Sequence, residues 1–163
     1  KGVPFLICRR LTVSAFFKPK TLYNTDMYPE MLVAPMREEL TGIGFKQMMN
    51  ASEVEEALNK QKGTQLLVVN SVCGCAAGTC RPGVNLALRG DKKPDELLTV
   101  FAGMEQEAVS KAREFLLPFP PSSPSIALFK DGKLVHMIER HNIEGRSAQM
   151  IADNLKAVFE EYC

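Results

Sequence analysis

Three of the chain's five cysteines, Cys73, Cys75 and Cys80, fall within eight residues; Cys8 and Cys163 stand apart. Bridges that staple small secreted domains are usually spread along a chain, so a cluster of this kind points to redox chemistry or metal binding. Within it, Cys73-Gly74-Cys75 places two thiols either side of one glycine. Such a pair can exchange disulfides or contribute metal ligands.

The flanking residues favour exchange. Gln65-Leu66-Leu67-Val68-Val69 is a continuous apolar run following Gly63, too short for a core helix, and reads as a strand buried on both faces. Residues 76–88 after the cysteines read as a helix, with Pro82 expected as an interior kink. Cys73 is therefore expected where a buried strand turns into a helix. There the unpaired N–H groups and the positive end of the helix dipole stabilise a thiolate, the nucleophilic form of cysteine. Gly74 keeps the turn open. With one intervening residue, a Cys73–Cys75 bridge closes a small, strained ring that is easily reduced. The sequence allows Cys75 either to close that bridge or to tune Cys73. Cys80 lies about 7.5 Å along the helix axis from Cys75, beyond normal bridging reach, and is expected as a small buried hydrophobe.

The remaining elements must hold this turn in place. A helix is predicted over residues 28–40, capped by Asp26, with Pro29 in its first turn, Pro35 as a kink or break and Gly42 beyond its end. Residues 45–49 read as an edge strand, and Ser52 with Glu55 as a capping box opening a helix to residue 60. Strands follow at 97–101, 125–129 and 134–138, the last two around Asp131-Gly132, a hairpin signal. Helices are predicted at 105–116 and from Ser147, the latter with Ile151, Leu155, Val158 and Phe159 on one face. The order β-α-β-α-β-α-β-β-α predicts one α/β domain over residues 26–163. It is a thioredoxin-like three-layer α/β/α sandwich with a mixed central sheet and an extra N-terminal helix.

Residues 1–25 carry Lys1, Arg9, Arg10, Lys18 and Lys20 without one acidic residue. Their apolar stretch 3–8 is too short for a secretory segment, no small-residue cleavage site follows it, and Ile7 argues against a lipoprotein reading of Cys8. They are expected to be an extension outside the fold. Twenty basic against nineteen acidic residues give a net charge of +1. That balance argues against nucleic-acid and membrane-surface partners, and no apolar run is long enough to span a bilayer.

Ser122-Ser123-Pro124-Ser125 follows a proline-rich loop and precedes a strand, a natural place for a cis peptide bond. In a thioredoxin-like fold that bond lies beside the cysteines, where backbone can pair with a substrate chain. With these pieces in place, residues 31–163 resemble the bacilliredoxin A/B family. The likeness is carried by Val33-Ala34-Pro35-Met36-Arg37-Glu38-Glu39-Leu40, by Val68-Val69-Asn70-Ser71-Val72-Cys73-Gly74-Cys75-Ala76-Ala77-Gly78 with Arg81-Pro82, and by Pro121-Ser122-Ser123-Pro124-Ser125. His136, Arg140-His141, Ile143-Glu144-Gly145 and Cys163 also match.

The resemblance implies a cytoplasmic thiol–disulfide oxidoreductase that removes bacillithiol, or a similar low-molecular-weight thiol, from mixed disulfides on protein cysteines. Cys73 would attack and take the bacillithiol, and Cys75 would resolve or modulate the mixed disulfide. Gly74, Ser123 and cis Pro124 would meet the substrate. S-thiolated proteins and the small thiol would be the partners, with no bound cofactor. Two positions depart from pattern: the family usually has alanine at Cys80, and Leu67 stands where thioredoxin has a buried proton-handling aspartate.

Two other functions fit parts of the pattern. One is a general disulfide reductase or isomerase. The other is a metal site of Cys73, Cys75 and Cys80 completed by His136 or His141, although that spacing matches no common zinc module. His136 is expected as a half-buried strand residue, Arg81 as a surface ion pair, and Arg140-His141 as a solvated turn. Met27, Met31, Met36, Met48 and Met49 are expected in the core.

Overall fold

The computed structural model describes residues 28–163. In chain order these form α1 (Glu30–Thr41), β1 (Lys46–Gln47), α2 (Ala51–Leu58), β2 (Thr64–Asn70), α3 (Arg81–Ala87), β3 (Glu96–Phe101), α4 (Gln106–Phe115), β4 (Ser125–Lys130), β5 (Lys133–Ile138), α5 (Arg140–Ile143) and α6 (Ala148–Tyr162). The extension expected over 1–25, Cys8, Met27 and the Asp26 cap lie outside the described residues.

The five strands lie in the order β1-β3-β2-β4-β5. β3 runs parallel to both β1 and β2, while β4 is antiparallel to β2 and β5. β2 is central and buried at every residue, as its unbroken apolar run requires. Alternate residues face opposite layers. Leu66 and Val68 pack with α3 and α6 through Val84, Leu155 and Phe159. Leu67 and Val69 pack with α2 and α4 through Val54, Leu58 and Ala112. Burying each of these strand side chains contributes about 1.5–3 kcal/mol relative to exposure. The expected three-layer sandwich with a mixed sheet is the observed fold. At Asp131-Gly132 both residues have positive φ, 50° and 75°, the backbone that a tight hairpin turn demands.

Three local expectations are corrected. Pro35 does not break α1, which runs continuously from Glu30 to Thr41. The proline withholds an N–H from the carbonyl of Met31, a residue 86% exposed, where water can replace the missing bond. The cap of α2 is Asn50 rather than Ser52. Its side chain accepts from the Glu53 N–H at 2.9 Å, and the Glu53 carboxylate accepts from the Met49 N–H at 2.8 Å. Met31 and Met49 are exposed rather than core, whereas Met48 is fully buried.

Pro82 lies inside a continuous helix, as expected, and a local widening of the backbone accommodates it. The helix that begins at Gly74 widens into a π-helical turn over Ala76–Cys80, in which the Arg81 N–H bonds the Ala76 carbonyl. Pro82 thus falls in the first turn of α3. The wider turn relieves the clash between a proline ring and the carbonyl four residues earlier. It also sets the phase in which both Cys80 and Arg81 face inward, 0% and 3% exposed.

The extra helix α1 is tied to the sheet by charge. Arg37 bonds Glu105 at 2.5 Å and lies over the Phe101 ring, 5.5 Å from its centroid. Glu105 accepts from the Phe101 N–H at 3.0 Å and from the Gln47 amide at 3.1 Å. Burial pushes the Glu105 pKa up against the opposing influence of Arg37 and these donors.

Candidate active site

At the carboxyl end of β2 the chain leaves the sheet through Asn70 and Ser71 and enters a helix at Gly74. Cys73 is the residue immediately before that helix, the N-cap. Its carbonyl accepts from the Ala76 and Ala77 N–H groups at 3.0 and 3.2 Å. Its Sγ lies 3.4 Å from the Ala76 N–H and 3.3 Å from the Ser71 hydroxyl, both donating to it. The Cys75 Sγ is 2.6 Å away. A side chain at this position normally accepts from the third helical N–H, and here the acceptor is sulfur.

The two thiols separate electrostatically. Burial of Cys73 works against its ionisation. Hydrogen bonds from Cys75, Ser71 and the Ala76 N–H, with the nearby charge of Arg140, outweigh that cost and hold its pKa below the ordinary thiol value. The Cys75 pKa is raised by burial, by its hydrogen bond to Cys73 and by the charge there, with Arg140 opposing. Replacing Cys75 by alanine removes a donor to Cys73. The pH midpoint for iodoacetamide alkylation of Cys73 is then expected to rise; an unchanged midpoint would show that Cys75 does not hold the thiolate.

An arginine missed as a site residue fixes the loop beneath the thiols. Arg81, expected at the surface, is buried and donates to both Glu39 carboxylate oxygens at 2.7 and 3.2 Å. It also donates to the Asn70 side-chain oxygen and the Ser71 carbonyl, each at 3.1 Å. Asn70 in turn accepts from the Ser71 N–H at 2.8 Å and donates to the Met36 carbonyl at 3.1 Å. The residues on both sides of this loop, in α1 and α3, are thereby bound to it. Only Arg has the fork that reaches all these acceptors at once.

The second segment singled out from sequence comes to the same place. The Ser123–Pro124 peptide bond is cis, and Ser123 and Cys73 line one groove of about 520 Å³. Arg140, expected in a solvated turn, closes this end. It opens α5 with its N–H on the Ser122 hydroxyl at 2.7 Å and its guanidinium on the Ser123 carbonyl at 3.4 Å. Its side chain is half exposed, which dilutes but does not cancel its effect on the thiols. Pro124 is buried, while Gly74 is exposed with no atom within 4 Å of where a Cβ would stand. That leaves a clear approach to the sulfurs.

The other candidates are elsewhere. Cys80 is fully buried among Val84, Ile151 and Leu155, with its thiol pushed up to about 12 chiefly by burial. Cys80→Ala is expected to cost about 1 kcal/mol or less and to leave exchange activity within about twofold, since a buried neutral thiol is inert. A tenfold loss of activity would give Cys80 a part in the reaction. Cys163 lies beside Thr64, its thiol pushed up chiefly by burial, at the opposite end of β2 from Cys73 and so about 20 Å away. His136 bonds the Asn154 side-chain oxygen at 2.9 Å. His141 faces Glu139 at 3.9 Å. Among the described residues no group of three or more His, Cys, Asp or Glu side chains is assembled to hold a metal ion, so the considered ligand set does not converge. Leu67 is buried with Val69 and Phe129, leaving an apolar contact where thioredoxin has an acid.

Comparison with known proteins agrees with this geometry. A family model described as disulphide isomerase matches residues 28–163. The bacilliredoxin of Cytophaga hutchinsonii is 61% identical over 135 residues, covering 83% of this chain and 99% of its own. Bacilliredoxin BH1716 of Halalkalibacterium halodurans is 51% identical over 136 residues, covering 83% and 94%. The thioredoxin-like domain of Arabidopsis NCP superposes with a TM-score of 0.53 at 19% identity, covering 73% of this chain and 79% of that one, which supports the fold alone. No helix among the described residues is long and apolar enough to cross a membrane. The thiol pair at a helix start, the adjoining cis-proline and these sequence identities together place the chain in the bacilliredoxin family, as a thiol–disulfide oxidoreductase.

Proposed function

We propose that this oxidoreductase removes bacillithiol, or a close low-molecular-weight thiol, from mixed disulfides on protein cysteines, using Cys73 as nucleophile. The observation that carries the reading is the position of Cys73. Its sulfur is biased toward thiolate and opens on a groove of small-molecule size. The names of its relatives point to the same thiol.

The Cys73 thiolate attacks the small thiol's sulfur, forms a Cys73–S–S–R bond and expels the target protein's cysteine as thiolate. Cys73 then carries no charge. Two influences that keep Cys75 protonated, its hydrogen bond to Cys73 and the charge on Cys73, therefore vanish. Cys75 can then ionise and attack Cys73, releasing R–S⁻ and leaving a Cys73–Cys75 bridge. Two molecules of the small thiol reopen that tight ring, giving R–S–S–R and both enzyme thiols. Gly74 leaves the sulfurs uncovered, and the backbone at Ser123–Pro124 borders the approach of the target chain. The chemistry requires a compartment that keeps thiols reduced, which is the cytoplasm.

The test is the rate at which a single-cysteine protein loses bacillithiol, followed by intact mass with catalytic enzyme and excess free bacillithiol. Acceleration of about 100-fold over the uncatalysed exchange is expected. No acceleration, alongside efficient reduction of an ordinary protein disulfide, would favour the general reductase instead.

A further inference from the structure

We infer that the groove beside Cys73 contains a carboxylate subsite built by Arg113, so that the small thiol accepted there is an anionic one. The inference rests on the dethiolation reading and adds to it the charge of the thiol's non-sulfur part.

The groove is walled on one side by α4. Gln106, Val109, Ser110 and Arg113 line it at positions i, i+3, i+4 and i+7, one face of a helix extending about 10 Å. Val109 supplies an apolar floor, 5% exposed. Arg113 ends the stripe. Its Nε is buried without a hydrogen-bond partner among the described residues, and no described carboxylate forms an ion pair with it. The side chain as a whole is only partly buried and lines the groove, so the terminal nitrogens of its planar guanidinium, rather than the buried Nε, are the ones that match a carboxylate there. Arg140 also lines the groove, and its charge lies close enough to bias both thiols. The groove thus combines sulfur chemistry with an arginine that has no ion-pair partner among the described residues. A thiol carrying a carboxylate spans the two. An acidic segment of the target protein could also meet Arg113, but the groove's volume of about 520 Å³ suits a small ligand.

The experiment uses one single-cysteine protein carrying three adducts in turn: bacillithiol, mercaptosuccinate, which has two carboxylates, and 2-mercaptoethanol, which has none. Wild type and Arg113→Gln are compared on each. For the variant, KM for the bacillithiol and mercaptosuccinate adducts is expected to rise about tenfold, with kcat nearly unchanged. The 2-mercaptoethanol adduct should turn over as in wild type, and Arg113→Lys should recover part of the loss. Equal loss on all three adducts would make Arg113 structural. No change on any adduct would remove the subsite while leaving dethiolation intact. A wild type inactive on all three would instead overturn the dethiolation reading, and the subsite with it.

Discussion

Cys73→Ser is expected to lower thiol-exchange activity by at least about 10³-fold while leaving the melting temperature within about 2 °C of wild type. The hydroxyl is not ionised near neutral pH and cannot serve as the attacking group. Serine is nevertheless among the best N-cap residues. It can accept from the Ala76 N–H as the sulfur does, so the helix keeps its cap. Stability also acquires a pH signature. The folded-state pKa of Cys73 is depressed, so its ionisation contributes stability that is full above the unfolded thiol pKa. That contribution is lost as pH falls through the lower folded value. Cys73→Ser should abolish this component, as measured by chemical denaturation across pH. Retention of a tenth of wild-type activity would transfer the nucleophile's role to another cysteine.

The second large effect is expected at Arg81, which touches neither sulfur. Arg81→Met keeps an apolar stem of similar reach but leaves the Ser71 carbonyl without this donor and Glu39 without its ion-pair partner. Glu39 is 46% exposed on its side chain, so water recovers part of that loss. The expected destabilisation is about 2–3 kcal/mol, a fall in Tm of roughly 6–12 °C. Activity should drop about tenfold, because Ser71, a hydrogen-bond donor to Cys73, loses its anchor. A positioning role predicts that the alkylation midpoint of Cys73 rises together with the activity loss. Arg81→Lys should restore less than half of the stability, having the charge without the fork. A variant that unfolds earlier yet retains the Cys73 midpoint would confine Arg81 to structure.

The chemistry-bearing turn was legible because its signals are local. An apolar run between Gly63 and the cysteines can only be a buried strand, and the single-residue spacing is read directly. Ser123–Pro124 was legible for the same reason, as a proline placed against a strand. Arg140 was not, because charge and neighbours alone describe a solvated turn. Yet the hairpin itself returns the chain: Val69 pairs with Ser125, and Ile126 with Ile138. The residues following β5 therefore arrive at the same sheet end as the cysteines. Combining that register with a basic residue at 140 would have found it. Arg81 was misassigned because its inward direction depends on the π-helical turn, whose extra residue is a response to Pro82 and not a feature of periodicity. Arg113 needed the groove itself, which no pattern along α4 reveals.

The central claim is that Cys73 takes the small thiol onto itself. Mass spectrometry of Cys75→Ala after brief exposure to a bacillithiolated single-cysteine protein tests it most directly, since resolution by Cys75 is then blocked. The predicted result is a bacillithiol adduct on the Cys73 peptide with the target released as free thiol. An adduct forming equally in Cys73→Ala, or a mixed disulfide between the enzyme and the whole target protein in place of the small adduct, would contradict it.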